Sequence, residues 1–206
     1  MEITHREIFG VITIVLSALI FIPLIISTIR GKLKPHPITW LVLTLSGLTN
    51  TLIMFFNDAG PGAWGVVTGV IFAFILTIVA FINYRKTSRI SQLDILFFFL
   101  AIVALILWLI SRDFAVISVI LLTATSVFGM VPTFVKTWKE PRSESFYTWS
   151  VLVSMSIFGI AATEHFDFVN LFRRTVSIFH DGAVILIMII RRRKVPEDKE
   201  LVDKES

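Results

Sequence analysis

Seven long apolar runs alternate with short polar connectors along this chain: Ile8–Ile29, Ile38–Phe56, Trp64–Ile82, Leu93–Ile110, Phe114–Val135, Tyr147–Ala162 and Phe168–Ile190. A helix needs about 20 residues to cross a bilayer core of roughly 30 Å, and each run approaches that length. The runs do not alternate with period two, which argues against strands of a closed barrel. Lipid offers no partner to a bare backbone amide, so each run is expected to be an α-helix. The fold class expected is an all-α membrane protein with seven transmembrane helices. The first run is too long for a signal-peptide core. Arg30 and Lys32 follow it where a small-residue cleavage site would stand, so it reads as a retained helix. The segment after Lys194 is polar and reads as a disordered tail, 195–206.

Composition agrees with that pattern. Hydrophobic residues are 55% of the chain and charged residues 17%, against about 25% charged in soluble domains. No cysteine is present, which excludes disulfides, thiol catalysis and cysteine metal sites. The net charge of +4 invites a nucleic-acid reading. The positions of the basic residues argue otherwise, and no nucleic-acid partner is expected. Fifteen of the nineteen Lys and Arg lie in the first, third and fifth connectors and after the seventh run. They are Arg30, Lys32, Lys34, Arg85, Lys86, Arg89, Lys136, Lys139, Arg142, Arg191, Arg192, Arg193, Lys194, Lys199 and Lys204. The other side holds Arg6 and Arg112, with Arg173 and Arg174 near it, and the acidic Asp58, Glu164 and Asp167. Positive charge marks the cytoplasmic side. The N-terminus is therefore expected outside and the C-terminus in the cytoplasm, with the chain multi-pass in the plasma membrane.

One pattern recurs at a fixed offset of 109 residues. Ser17, Pro23, Thr28, Thr39, Trp40 and Val42 correspond to Ser126, Pro132, Thr137, Thr148, Trp149 and Val151. The repeat lays runs 1–3 on runs 5–7 and leaves run 4 over. Because the unit has three spans, a linker must cross the membrane to start the second copy in the same orientation. The organisation expected is two parallel three-helix bundles, 1–90 and 114–194, joined by a linker helix, 91–113 (3+1+3). Parallel repeats of this kind occur in transporters, with the substrate site near the midplane between the halves.

That architecture, with the segment PTFVKTWKEPRSES of proline, basic residues and serines, resembles the SWEET and PQ-loop group of membrane proteins over nearly the whole chain. The glutamine that commonly follows the first-helix proline in that group is Leu24 or Thr133 here. Prolines within the second helix of each repeat, which SWEET transporters carry, are absent; Pro35, Pro37 and Pro141 lie in connectors. The resemblance implies facilitated passage of a sugar or another small polar metabolite, as a uniporter or coupled to protons. KDEL receptors share the fold and bind peptides, so fold alone leaves a non-transporting receptor open.

The residues that could carry such a function are polar groups inside apolar runs. His180 and Asp181 lie about ten residues before Arg191, near mid-membrane, where an ionisable side chain is costly and by default functional. Being adjacent, they point about 100° apart, so one helix face is not expected to hold both. Asp181 shares a stripe with Ser177 and Arg174 and is the first proton-coupling candidate, with His180 the second. Asn50, Thr49, Ser156 and Ser177 can donate and accept hydrogen bonds to a polar substrate; the same groups also serve as helix–helix glue. Pro23 and Pro132 each remove a backbone hydrogen bond within a helix and are hinge candidates. Arg173 and Arg174 read first as interface anchors, and alternatively, with Glu164 and Asp167 nearby, as an outer gate of ion pairs or as groups that attract an anionic substrate. Trp40 and Trp149 read as interfacial anchors first and gates second. Gly60, Gly62, Gly65 and Gly69 suit a tight turn and close packing of the third helix.

No metalloprotease, phosphate-loop or serine-elbow motif is present, and no metal site or cofactor is expected. An intramembrane enzyme using His180 and Asp181 is the remote alternative. The expected partners are a small polar solute and membrane lipid, with a homo-oligomer left open.

Overall fold

The computed structural model describes residues 3–33, 35, 37–83, 92–142 and 144–194, with the backbone alone at Leu93, Asp94 and Pro132. The tail 195–206 and the connector cations Lys34, Arg85, Lys86, Arg89, Lys199 and Lys204 lie outside the described residues. Among the described residues seven helices follow one another: α1 (His5–Ile29), α2 (Pro37–Phe56), α3 (Trp64–Ile82), α4 (Gln92–Ile110), α5 (Ala115–Lys139), α6 (Phe146–Ala161) and α7 (Phe168–Lys194). Two 3-10 turns, Gly60–Ala63 and Arg112–Phe114, lead into α3 and α5. Each expected run is a helix, with ends shifted by up to a few residues. The largest shifts are at α5, which runs on to Lys139, and at α7, which runs on to Lys194.

Local chemistry sets several of the ends. Thr4 caps α1 in a capping box: its hydroxyl accepts from the Glu7 backbone N–H, and Glu7 accepts from the Thr4 N–H. Ser145 caps α6 by accepting from the Thr148 N–H. Between α2 and α3 the chain reverses through Asp58 and Gly60, both with positive φ (48° and 58°); at Gly60 that conformation carries no Cβ penalty.

Four of these segments, His5–Ile29, Pro37–Phe56, Gly60–Ile82 and Arg112–Lys139, are long and apolar enough to cross a membrane. Ile95–Ile110 and Phe146–Ala161 are shorter apolar helices. α7 has the length, at 27 residues, but Arg173, Arg174 and Asp181 interrupt its apolar character.

The helices are apolar on the outside. In α1 the exposed large residues are Ile8, Val11, Val15, Leu19, Ile22, Ile26 and Ile29, a stripe at helical spacing. The buried residues of the same helix are Gly10, Thr13, Ser17 and Thr28. A water-soluble helix shows the opposite pattern, with its apolar stripe facing the core. Packing therefore relies on small residues and on side-chain to backbone hydrogen bonds, as helix association in lipid does. Ser118 on α5 donates to the Ala104 carbonyl on α4 at 2.9 Å. The apolar core that does exist, Ile53, Ala104, Trp108, Ala115, Val119, Leu122 and Val169, lies where α2, α4, α5 and α7 meet.

Neighbour relations follow a pattern. α3 packs against both α1 and α2, and α7 packs against both α5 and α6. α1 packs against α6, α2 touches α5, and α4 lies against α5 and α2. The residues at the 109-residue offset behave alike. Thr28 and Thr137 are both fully buried and each donates to the carbonyl four residues back, Leu24 at 2.8 Å and Thr133 at 2.7 Å. Val42 and Val151 are both buried.

Candidate functional site

A cavity of about 400 Å³ lies among α1, α2, α3, α5, α6 and α7. Its wall combines apolar side chains with Asn50, Ser126, Ser156, Ser177 and four titratable residues of α7: Arg173, Arg174, His180 and Asp181. Leu43 and Leu152, Gly47 and Ser156, and Gly65 and Arg174 all line it, and each pair is 109 residues apart. Residues at the 109-residue offset thus contribute to one cavity.

At one end of the cavity, the turn after α2 meets the turn after α6. Arg174 occupies this junction. It is buried, and its Nη1 donates to the Gly159 carbonyl and, at 3.1 Å, to Thr163 Oγ1. Its Nη2 donates to the Gly62 carbonyl and lies 4.0 Å from Met54 Sδ. A guanidinium carries five N–H donors in a planar fork, so one side chain can hold acceptors from several elements. Gly159 makes the room: a Cβ there would stand 2.8 Å from the Arg174 Cζ. Two more bonds close the same end. The Glu164 N–H donates to the Ala59 carbonyl at 3.1 Å, and Asn170 Nδ2 donates to the Asn57 carbonyl at 2.8 Å. α1 fits tightly here because Gly10 leaves no side chain between it and Trp64; a Cβ would sit 2.8 Å from that ring.

The reading of Arg174 as an interface anchor is thereby corrected. A side chain whose donors turn to buried carbonyls does not reach outward to water. It does not act through an ion pair with Glu164 or Asp167 either, because its described partners are backbone carbonyls, a hydroxyl and a thioether. Glu164 itself packs over Gly60. Arg173, its neighbour, faces the cavity, and its Nη1 is buried without a hydrogen-bond partner among the described residues.

At the far end the wall includes Trp149, in the first turn of α6, whose indole Nε1 donates to Glu144 Oε2 at 3.2 Å. Trp149 is thus a cavity residue, whereas Trp40 packs edge-on against Phe21 with centroids 6.1 Å apart. Several hydrogen bonds at this end join residues of the same helix triplet. Asn83 Nδ2 donates to the Thr28 carbonyl at 3.2 Å. Arg191 donates to the Trp138 carbonyl, and Arg192 to the Pro141 and Glu144 carbonyls, each at 2.9 Å. Lys136 pairs with Glu144 at 3.0 Å.

Of the substrate-binding candidates, Asn50, Ser156, Ser177, His180 and Asp181 line the cavity and Thr49 does not. Thr49 is fully buried and donates to the Leu45 carbonyl at 2.9 Å. It precedes Asn50 by one helical step of about 100°, which turns it into the packing once Asn50 faces the cavity. The expectation that His180 and Asp181 cannot share a wall is also corrected. The cavity wraps a wide arc of α7, and His180 Nδ1 lies 2.7 Å from Asp181 Oδ1. That contact is close but poorly aligned, and neither ring nitrogen has a hydrogen-bond partner among the described residues. Pro23 lies inside α1 and position 132 inside α5. Ser126 and Thr13 also line the cavity, beyond the binding residues expected from the sequence. Ser126 stands out in the sequence only as a repeat position, and a lone threonine in an apolar helix carries no signal that separates lining from packing.

Compared with known proteins, the chain matches no family model, no curated protein and no solved structure.

Proposed function

We propose that this chain is a SWEET-like membrane transporter for a small polar metabolite. In this reading α1–α3 and α5–α7 are two like-oriented bundles in the plasma membrane, α4 is the linker that crosses between them, and the N-terminus is outside. The bundles rock about the cavity to give alternating access. The observation that carries the reading is the cavity itself, a largely apolar hollow holding a small set of polar and charged side chains, walled by residues of both triplets. Three further features support it. α1 is polar inside and apolar outside, which suits lipid. Bonds from Arg174, Glu164 and Asn170 join the two triplets at one end. The bonds named at the other end run within a triplet. In this reading the end joined by Arg174, Glu164 and Asn170 lies outside and is closed, and the cavity opens to the cytoplasm.

Uptake of a labelled solute panel into proteoliposomes tests the proposal. Saturable flux of at least one small polar solute is expected. Tight binding of a solute with no flux would instead favour a receptor built on the same scaffold.

A further inference from the structure

We infer that the solute recognised in the cavity is a small polyhydroxylated monocarboxylate, a sugar acid rather than a neutral sugar. The inference rests on the cavity being the binding site proposed above, and it concerns what that site selects.

The two arginines differ in their partners. Arg174 has its donors taken by the Gly159 and Gly62 carbonyls and by Thr163. Arg173 has a buried Nη1 without a partner among the described residues and lines the same cavity. A buried N–H donor of a guanidinium left without an acceptor is unfavourable. A carboxylate satisfies it best, since the planar fork takes both oxygens.

Charge selects the valence. The titratable groups of the wall are Arg173, Arg174, His180 and Asp181. The formal charges of Arg173, Arg174 and Asp181 sum to one positive charge, which a monoanion cancels. A phosphate dianion overshoots, and a neutral sugar leaves the charge standing.

The rest of the wall selects hydroxyls. Asp181 is buried and its carboxylate is an acceptor; His180 Nδ1 lies 2.7 Å from it, and His180 Nε2 is buried without a hydrogen-bond partner among the described residues. Asn50 of α2 also lines the cavity, and its described side-chain contact is 3.5 Å to Met54 Sδ. Positions 173 and 181 are eight residues apart, about 12 Å along the axis at 1.5 Å per residue. That separation suits a molecule with a carboxylate at one end and hydroxyls along its length.

Gluconate has as many carbons as glucose but is open-chain, so glucitol, the open-chain polyol that lacks only the carboxylate, is assayed beside glucose as the neutral partner. Binding to the purified full chain is followed by calorimetry and by tryptophan fluorescence, to which Trp149 in the cavity wall contributes. Gluconate is expected to bind saturably, at least about tenfold tighter than glucitol, glucose or glucose 6-phosphate. Arg173→Gln should lose about tenfold or more for gluconate and change glucose little. Arg173→Lys, which keeps the charge, should recover part of the loss and serves as the control for folding, with size-exclusion profiles alongside. Glucitol or glucose bound as well as gluconate, a preference for the phosphate ester, no gluconate binding, or gluconate affinity unchanged in Arg173→Gln overturns the inference. Counterflow in proteoliposomes separates the two claims. Gluconate bound but not exchanged sinks the transporter reading and leaves the carboxylate site standing. Glucose exchanged while gluconate neither binds nor competes does the reverse.

Discussion

Arg174 on α7 donates a hydrogen bond to the carbonyl of Gly62, 112 residues earlier in the chain. The bond ties the start of the last helix to the turn that opens the third. Because the same guanidinium also holds Gly159 and Thr163, one side chain joins α7, α6 and the α2–α3 turn. Removing it takes a donor from the buried Gly62 carbonyl and one from the Gly159 carbonyl, which keeps the Thr163 hydroxyl, at roughly 1–3 kcal/mol for each lost bond. Arg174→Ala should therefore lower stability by about 3 kcal/mol, read as a fall in melting temperature in detergent. Arg174→Lys should recover only part of this, because a single ammonium lacks the fork. An unchanged melting temperature in Arg174→Ala would show that no clamp operates there.

Gly159→Ala probes the same clamp from the other side. The added methyl would stand 2.8 Å from the guanidinium carbon, and overpacking of this kind costs typically about 1–3 kcal/mol. Since both substitutions act on one network, Gly159→Ala combined with Arg174→Ala should cost less than the sum of the two. Strict additivity in thermal unfolding would show that they act separately.

Much of this arrangement is readable in the sequence, for physical reasons. Seven apolar runs become seven helices because lipid-compatible backbone has few options. The turn glycines are legible because Gly62 and Gly65 admit no side chain beside Thr163 and Thr13. Gly69 is looser, since Ser17 Oγ lies 3.7 Å from where a Cβ would stand. The site is less legible. Arginine near a helix end reads as an anchor because that is its usual place. Only the fold brings the α2–α3 turn close enough to accept from Arg174. Likewise Asn50 and Thr49 are both hydrogen-bonding residues in one helix, and nothing local says which of the two faces the hollow.

Asp181→Asn keeps the shape of the side chain and removes its charge. If Asp181 binds substrate or a coupling proton, uptake into proteoliposomes should fall at least about tenfold, the loss of one charge-assisted hydrogen bond. Thr49→Val, which changes a residue outside the cavity, should leave uptake within about twofold once folded protein is matched. Unchanged uptake and pH response in Asp181→Asn would remove Asp181 from the mechanism.

Pro23 lies inside α1 and lacks the N–H that would bond the Leu19 carbonyl. Restoring that bond in Pro23→Ala should stiffen α1. The expected result is a higher melting temperature, slower exchange in counterflow and unchanged equilibrium affinity. Pro132→Ala, at the repeat-equivalent position, should do the same. Faster exchange in either variant would contradict a hinge at that position.

Side-specific labelling of single cysteines tests the proposed inward-facing cavity most directly. The chain has no cysteine, so Ser156→Cys and Ser177→Cys report without background in oriented vesicles. An impermeant maleimide should label both from the side bearing the 30–36 and 140–145 connectors and neither from the side bearing Gly60–Ala63. Labelling from the Gly60–Ala63 side alone, or from neither side, would contradict it.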